Sequence, residues 1–260
     1  MFNDCEDKIL EDLKVKTILV SQPKPENEKS PYFDLASKNK LEIDFQSFIH
    51  VEGIDAMEFR LQKINLLDFG SVIFTSRNAV DHYFRMAEEM RVQIPDSMKY
   101  FCTSESTAYY LQKYVVFRKR KIFHGKLRFA EIIPILKKYG EGRYILPTSD
   151  LLKDLIPATL EKNNIDFQRA TLYRTVCSDL SSLADVSYDI LVFFSPSGIK
   201  SLKQNFPGFK QNGTRIACFG PTTVEAAETE GLKVDILAPS KIAPSMTMAI
   251  EQYVKVVNKK

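Results

Sequence analysis

The run Leu191-Val192-Phe193-Phe194-Ser195-Pro196-Ser197-Gly198 constrains the fold of this chain more than any other stretch. Its apolar, β-rich part does not alternate, so it suits a strand covered on both faces and not one with a wet face. Ser195 then stands where a helix N-cap belongs and Pro196 where the first helical residue belongs. Serine can accept from a free backbone N–H there, and proline has no N–H to leave unpaired. Downstream, Ile199, Leu202 and Phe206 fall on one helical face. The device recurs at Val72-Ile73-Phe74-Thr75-Ser76-Arg77-Asn78-Ala79, where Val80, Tyr83, Phe84 and Ala87 make the apolar face. Strands that feed helices in this way leave backbone donors and hydroxyls at the carboxyl edge of a sheet. Open α/β sheets bind ligands at that edge, and helix N-termini there favour anions. A Ser-Pro helix start is also an ordinary cap; the repetition at matching places raises these two above that.

The rest of the chain fits the same pattern. Lys16–Ser21 reads as a first strand, and Ser30-Pro31 opens a helix to about Asn39. Leu41–His50 alternates like a single strand with one wet face, and 53–67 reads as mixed helix. Lys99–Thr103 is a strand leading to Ser104 and a helix with Ala108 and Leu111 inward. Lys119–Phe123 is another strand. A helix from His124-Gly125 to about Tyr139 contains Pro134, which implies a kink or a later start. Arg143–Pro147 begins the pattern again, with Asp150 capping a helix that turns Leu151, Leu152, Leu155, Ile156 and Leu160 inward. Ile165–Val176 is a strand longer than a buried one needs to be. Arg215–Phe219 ends at Gly220-Pro221-Thr222-Thr223, whose helix closes at Gly231. Val234–Ala238 is the last strand, and Ser245 caps a terminal helix.

This gives about ten strands in two groups of five. The groups answer each other: ILVSQP with YILPTS, LEIDFQSFI with IDFQRATLY, VIFTSRNAV with VFFSPSGIK, YFCTSESTA with IACFGPTTV. That is an internal duplication of a five-stranded doubly wound sheet.

Composition narrows the function. The 260 residues suffice for two domains, and 44% hydrophobic with 27% charged residues is ordinary for a globular chain. Apolar runs are too short to span a bilayer, and Met1 to Lys14 has no apolar signal core. A net charge of +3 does not argue for nucleic acid, and Arg118-Lys119-Arg120-Lys121 reads as a solvated strand edge. Cys5, Cys102, Cys177 and Cys218 form no close pair; Cys102 and Cys218 look like core residues in a reducing compartment.

No GxGxxG, GxxxxGK[ST] or GxSxG is present, and His50, His82 and His124 stand apart without metal-ligand spacing. His82 reads as a structural residue on the outer part of its helix. Ser195 has no general base near it in sequence for a nucleophilic role. What remains are hydroxyls and backbone donors at strand ends, together with Tyr173. They suit a binding cleft or an enzyme that works by positioning.

Phe193 to Gly198, Ile216 to Thr223, Phe74-Thr75-Ser76 with Asn78-Ala79-Val80, and Tyr173-Arg174-Thr175 together resemble uroporphyrinogen-III synthases. The resemblance covers roughly Lys16 to Tyr253. It implies two doubly wound, flavodoxin-like α/β domains of parallel sheets: residues 1–48 with 176–260, and an inserted 51–173. The crossings at 48–51 and 173–176 would form a two-stranded linker, and a cleft between the domains would hold the substrate. The implied reaction closes hydroxymethylbilane, a linear tetrapyrrole, with loss of water and inversion of ring D, without cofactor or metal. The implied protein is a cytoplasmic monomer with a small-molecule substrate and no nucleic-acid or membrane partner.

By the same resemblance, Tyr173 would assist departure of the hydroxyl, and Ser76, Thr107, Ser195, Ser197, Thr222 and Thr223 would bind substrate. Arg77, Arg174 and Lys200 are candidates for pairing with its carboxylates. Two positions depart from the family pattern: Ser104 stands where glycine is usual, and Lys153 where arginine often is. From the residues alone, Tyr173 could equally be a packed strand tyrosine and the hydroxyls could be caps. A non-catalytic two-domain binding protein of receptor type fits the same architecture. A flavodoxin-like phospho-regulator does not, because the strand ends carry Ser and Thr in place of acidic residues.

Overall fold

The computed structural model describes residues 14–126, 128–151 and 155–259. In chain order the strands are β1 (Thr17–Val20), β2 (Glu42–Phe45), β3 (Ile49–Gly53), β4 (Ser71–Phe74), β5 (Lys99–Cys102), β6 (Ile122–His124), β7 (Tyr144–Ser149), β8 (Phe167–Cys177), β9 (Ile190–Phe193), β10 (Arg215–Phe219) and β11 (Val234–Ala238). The helices are α1 (Pro31–Asn39), α2 (Ala56–Leu61), α3 (Arg77–Glu89), α4 (Glu105–Tyr110), α5 (Ile133–Tyr139), α6 (Leu155–Lys162), α7 (Pro196–Asn205), α8 (Pro221–Thr229) and α9 (Met246–Val257).

The chain forms two compact units, Met1–His50 with Val176–Lys260, and Val51–Thr175. The boundaries fall inside β3 and β8, which are neighbours at one edge of a six-stranded sheet. The first unit holds a five-stranded sheet in the order β11-β10-β9-β1-β2, and the larger sheet runs β3-β8-β7-β4-β5-β6. All pairs from β2 to β11, and from β8 to β6 through β7, β4 and β5, are parallel. The sequence pairs occupy equivalent places: with the first order read from β2 and β3 left out of the second, β1 and β7, β2 and β8, β9 and β4, β10 and β5 stand at the same rank. Each sheet thus has the doubly wound order, and β3 adds a further strand at the β8 edge of the second.

Both faces of each sheet are covered, as the unbroken apolar runs require. Ile18, Val20, Ile190 and Val192 join Leu35 of α1 and Ile250 and Val254 of α9 in one core, while Leu19, Leu191 and Phe193 join Ile199 and Leu202 of α7 and Ala227 of α8 in another. In the second unit Val72 and Phe74 pack with α3 and α4, and Ile73 and Phe101 with Leu136 of α5 and Leu160 of α6. Successive side chains alternate between two dry layers, so no position in these strands can be polar without a partner.

Several expectations need correction. Leu41–His50 is two strands, not one, giving eleven strands among the described residues. After the Gln46 N–H bonds to the Val20 carbonyl, Phe48 turns into the core beside Phe193, ring centroids 5.6 Å apart, and the chain resumes as β3 against β8. Arg118 to Arg120 form an exposed turn before β6 and not part of a strand, because the Arg118 carbonyl accepts the Lys121 and Ile122 N–H groups. Of the expected 53–67 helix only α2 and a short 3-10 turn form, and the helix expected from His124 starts as a 3-10 turn at Phe129 with Pro134 in the first turn of α5. The Asp150 carboxylate accepts the Thr175 N–H at 3.2 Å, α6 is described from Leu155 to Lys162, and the N–H groups that Asp150 was expected to cap lie outside the described residues. Leu151 and Leu155 are exposed, and among the described residues of that stripe only Leu160 is fully buried. Cys5, Leu152 and Lys153 lie outside the described residues.

Candidate active site

Ser76 and Tyr173 meet in the second unit. β4 ends at Phe74, and Ser76 adopts extended backbone as the N-cap of α3, its Oγ accepting the Ala79 N–H at 3.2 Å. Tyr173 reaches the same sheet edge along β8, two strands away, where the register of β7 and β8 shifts between Thr148 and Ser149 and sets Ser149 opposite Tyr173. The Ser76 Oγ lies 3.4 Å from the Tyr173 hydroxyl. The phenol is 7% exposed, and burial raises its proton affinity above the ordinary tyrosine value against the opposing hydrogen bond from Ser76. It is therefore a protonated donor at neutral pH, held by a serine whose own acceptor capacity is partly used as a cap.

His82, set aside in the sequence as structural, belongs to this cluster. Its imidazole stacks on the Tyr173 ring with centroids 4.8 Å apart and planes 19° apart. Burial lowers its proton affinity and the Arg85 charge adds to this, so the ring is neutral at pH 7. Another residue missed is Arg169, whose guanidinium binds Thr148 Oγ1 at 3.0 Å and the Ser149 and Asp150 carbonyls, fixing the end of β7, the strand between β4 and β8.

Thr107 does not reach Tyr173. It is buried in the first turn of α4, its Oγ1 3.1 Å from Ser104 Oγ, which also accepts the Thr107 N–H. The serine at the family's glycine position is thus a working N-cap. Arg174 is paired with Glu58, both side chains partly exposed. Arg77 is exposed, with its guanidinium 5.3 Å from the centre of the Tyr110 ring.

In the first unit, the turns after β9 and β10 lie side by side because those strands pair with Cys218 opposite Phe193. Ser195 is the N-cap of α7, but its side chain makes no capping bond; the Gly198 N–H bonds to the Ser195 carbonyl instead. The hydroxyl expected to cap is therefore not used for that purpose. A Cβ on Gly198 would stand 3.3 Å from Phe193 Cδ1, 3.7 Å from Ser21 Oγ and 4.0 Å from Ser195 Oγ, so the absent side chain leaves these two hydroxyls close to one backbone. Ser21 directly follows β1, and Ser195 stands two residues beyond β9. Gly220 caps α8 with φ 83, the left-handed region that suits glycine. Ser197 is partly exposed, Thr222 exposed, and Lys200 exposed on α7. Thr223 is 1% exposed and its Oγ1 has no hydrogen-bond partner among the described residues.

Among the described residues no three His, Cys, Asp or Glu side chains cluster in a way that could hold a metal ion, and no helix is long and apolar enough to cross a membrane. Burial pushes the Cys102 and Cys218 thiols up to about 12, so neither is a nucleophile.

Two doubly wound units, each with hydroxyls and helix N-termini at the carboxyl edge of its sheet and one with a buried phenol, define a two-unit α/β protein. The family model described as uroporphyrinogen-III synthase HemD matches residues 35–247, and the chain belongs to that family. It is 25% identical over 258 residues to the uroporphyrinogen-III synthase of Chlorobaculum parvum, covering 93% of this chain and all of the relative. The solved uroporphyrinogen-III synthetase of Helicobacter pylori shares the fold with a TM-score of 0.57 at 19% identity, over 93% of this chain and 99% of that one. A mutant uroporphyrinogen III synthase of Thermus thermophilus follows with a TM-score of 0.50 at 12% identity, over 94% and 100%.

Proposed function

We propose that this chain closes hydroxymethylbilane to uroporphyrinogen III, with loss of water and inversion of ring D. The observation that carries the reading is the match of the synthase family model over residues 35–247 to a chain whose sheets both end in hydroxyl-lined turns. The substrate is reactive enough to close unaided to the uninverted isomer. The protein's work is then to hold the pyrrole chain in the conformation that inverts the last ring, and to ease departure of the hydroxyl.

In this reading Tyr173 donates its proton to the leaving hydroxyl, which departs as water and leaves a cation spread over the pyrrole. Ser76 Oγ steadies the charge left on the phenol oxygen. The proton released when the ring carbon is attacked and regains aromaticity restores the phenol, so no cofactor is consumed. Thr107, Ser195, Ser197, Thr222 and Thr223 bind substrate, and the N-termini of α3, α7 and α8 favour its carboxylates, with Arg77 and Lys200 as cationic partners. Thr223 Oγ1 supports this most directly, as a buried hydroxyl left without a partner among the described residues. The enzyme acts as a cytoplasmic monomer.

The test supplies enzymatically made hydroxymethylbilane, without metal or nucleotide, and separates the oxidised products. Type III isomer in excess over the unassisted reaction supports the reading. Unchanged type I product rejects it.

A further inference from the structure

The His82 ring on which Tyr173 stacks is itself oriented by Arg85, one turn further along α3. The Arg85 Nε donates to His82 Nδ1 at 3.2 Å. Its Nη2 donates to the Ile54 carbonyl at 2.8 Å and to the Leu172 carbonyl at 3.2 Å, and Nη1 pairs with Glu89. The Leu172 carbonyl belongs to the peptide bond that leads into Tyr173. Room for the guanidinium comes from Gly53: a Cβ there would stand 2.5 Å from Arg85 Cζ. One planar fork thus serves acceptors on three segments, which a lysine ammonium cannot do in the same geometry.

We infer that Arg85 is a positioning residue for the Tyr173 hydroxyl, acting through the His82 ring it orients and the Leu172 carbonyl it binds. This rests on the reading of Tyr173 as the proton donor. An imidazole nitrogen that accepts from a guanidinium carries no proton, so the His82 proton sits on Nε2 and the ring is neutral. That flat neutral ring is a wall for the phenol, and the clamp on the Leu172 carbonyl fixes the backbone from which the phenol springs. Between them they hold the hydroxyl beside Ser76. The other charged groups near His82 are occupied: Asp81 accepts from Tyr110, Tyr114 and Lys113, and Glu89 pairs with Arg85. A catalytic hydroxyl displaced by about 1 Å can lose on the order of a hundredfold in rate, so a residue that never touches substrate can govern kcat.

Two measurements test this. The chain has three histidines, so the ring-nitrogen resonances of His82 are identified by their loss in His82→Gln. In the wild-type protein the proton should reside on Nε2; a proton on Nδ1 overturns the proposal, whether or not any variant folds. Steady-state kinetics on hydroxymethylbilane form the second. Arg85→Gln should lower kcat about tenfold with KM within about twofold, Arg85→Lys should not restore it, and Arg85→Gln should add nothing to Tyr173→Phe. An equal loss in both backgrounds, with Tyr173→Phe itself slowed, overturns the role of Arg85 alone. Full activity of Tyr173→Phe rejects the proton donor and Arg85's role with it.

Discussion

Ser76 and Tyr173 stand 97 residues apart in the chain and 3.4 Å apart at their hydroxyls. The contact joins the cap of a helix to a residue inside a strand two ranks away, across the intervening β7. It has consequences for rate and for stability that separate cleanly.

Tyr173→Phe keeps the ring on His82 and the apolar packing, and removes only the hydroxyl. The fold should lose no more than about 1 kcal/mol, since a long hydrogen bond is all that goes. The rate of water loss should fall on the order of a hundredfold, the scale of one general acid. Thermal unfolding together with the isomer assay checks both; a variant that is unstable and fully active would contradict the assignment.

Ser76→Ala behaves differently, because the same oxygen caps α3. Losing the Ala79 N–H acceptor should destabilise the protein by about 1 kcal/mol. Ser76→Asp should restore the cap, but it places a carboxylate against the phenol. Stability should therefore recover in Ser76→Asp while activity does not, a split readable from chemical denaturation and turnover on the same samples.

The sequence revealed the strand–cap–helix devices because each is local: an apolar run, a small hydroxyl residue, then a helical stripe. It also revealed the duplication, since β9 and β10 answer β4 and β5 in residue type. What stayed hidden depends on register and on distant partners. His82 meets Tyr173 across 91 residues of chain, and the β7–β8 register shifts between Thr148 and Ser149; no residue pattern announces either. The split of Leu41–His50 was masked by alternation that continues across the break, and the bond from the Thr175 N–H to Asp150 joins residues 25 apart in the chain. Ser195 illustrates the opposite error. Its place in the pattern was right and its hydroxyl's job was not.

His82 should make stability depend on pH. Its proton affinity in the folded chain lies below the ordinary value of 6.5, chiefly through burial and then through the Arg85 charge. Between the two values the unfolded chain binds the extra proton, so stability rises with pH there. The contribution is complete above pH 6.5 and is lost as pH falls through the folded value. The midpoint of thermal unfolding should fall as pH drops from 6.5 towards the folded value, and less steeply in His82→Gln. Parallel curves for the two proteins would deny the histidine any part in it.

Gly53→Ala offers a way to disturb Arg85 without touching it. The new Cβ cannot coexist with the guanidinium at 2.5 Å, and the flexible Arg85 side chain is what yields. Its bonds to the Ile54 and Leu172 carbonyls go with it, at a cost of about 2 kcal/mol. Kinetics should then match those of Arg85→Gln, with kcat reduced and KM nearly unchanged. Wild-type turnover in a folded Gly53→Ala protein would mean that the Leu172 clamp has no effect on Tyr173.

Thr223 separates function from stability most sharply. Its hydroxyl is buried at the start of α8 with no partner among the described residues, an arrangement that costs about 1–3 kcal/mol relative to a satisfied or apolar group. Thr223→Val keeps the shape and replaces the oxygen by a methyl group. If the hydroxyl waits for a substrate acceptor or donor, the variant should melt higher than the parent and bind hydroxymethylbilane more weakly, with KM raised about tenfold, which is about 1.4 kcal/mol. Purely structural threonines give the other pattern, in which loss of stability accompanies any loss of activity. A higher melting temperature with unchanged KM would leave the orphan hydroxyl without a role in binding and remove Thr223 from the site.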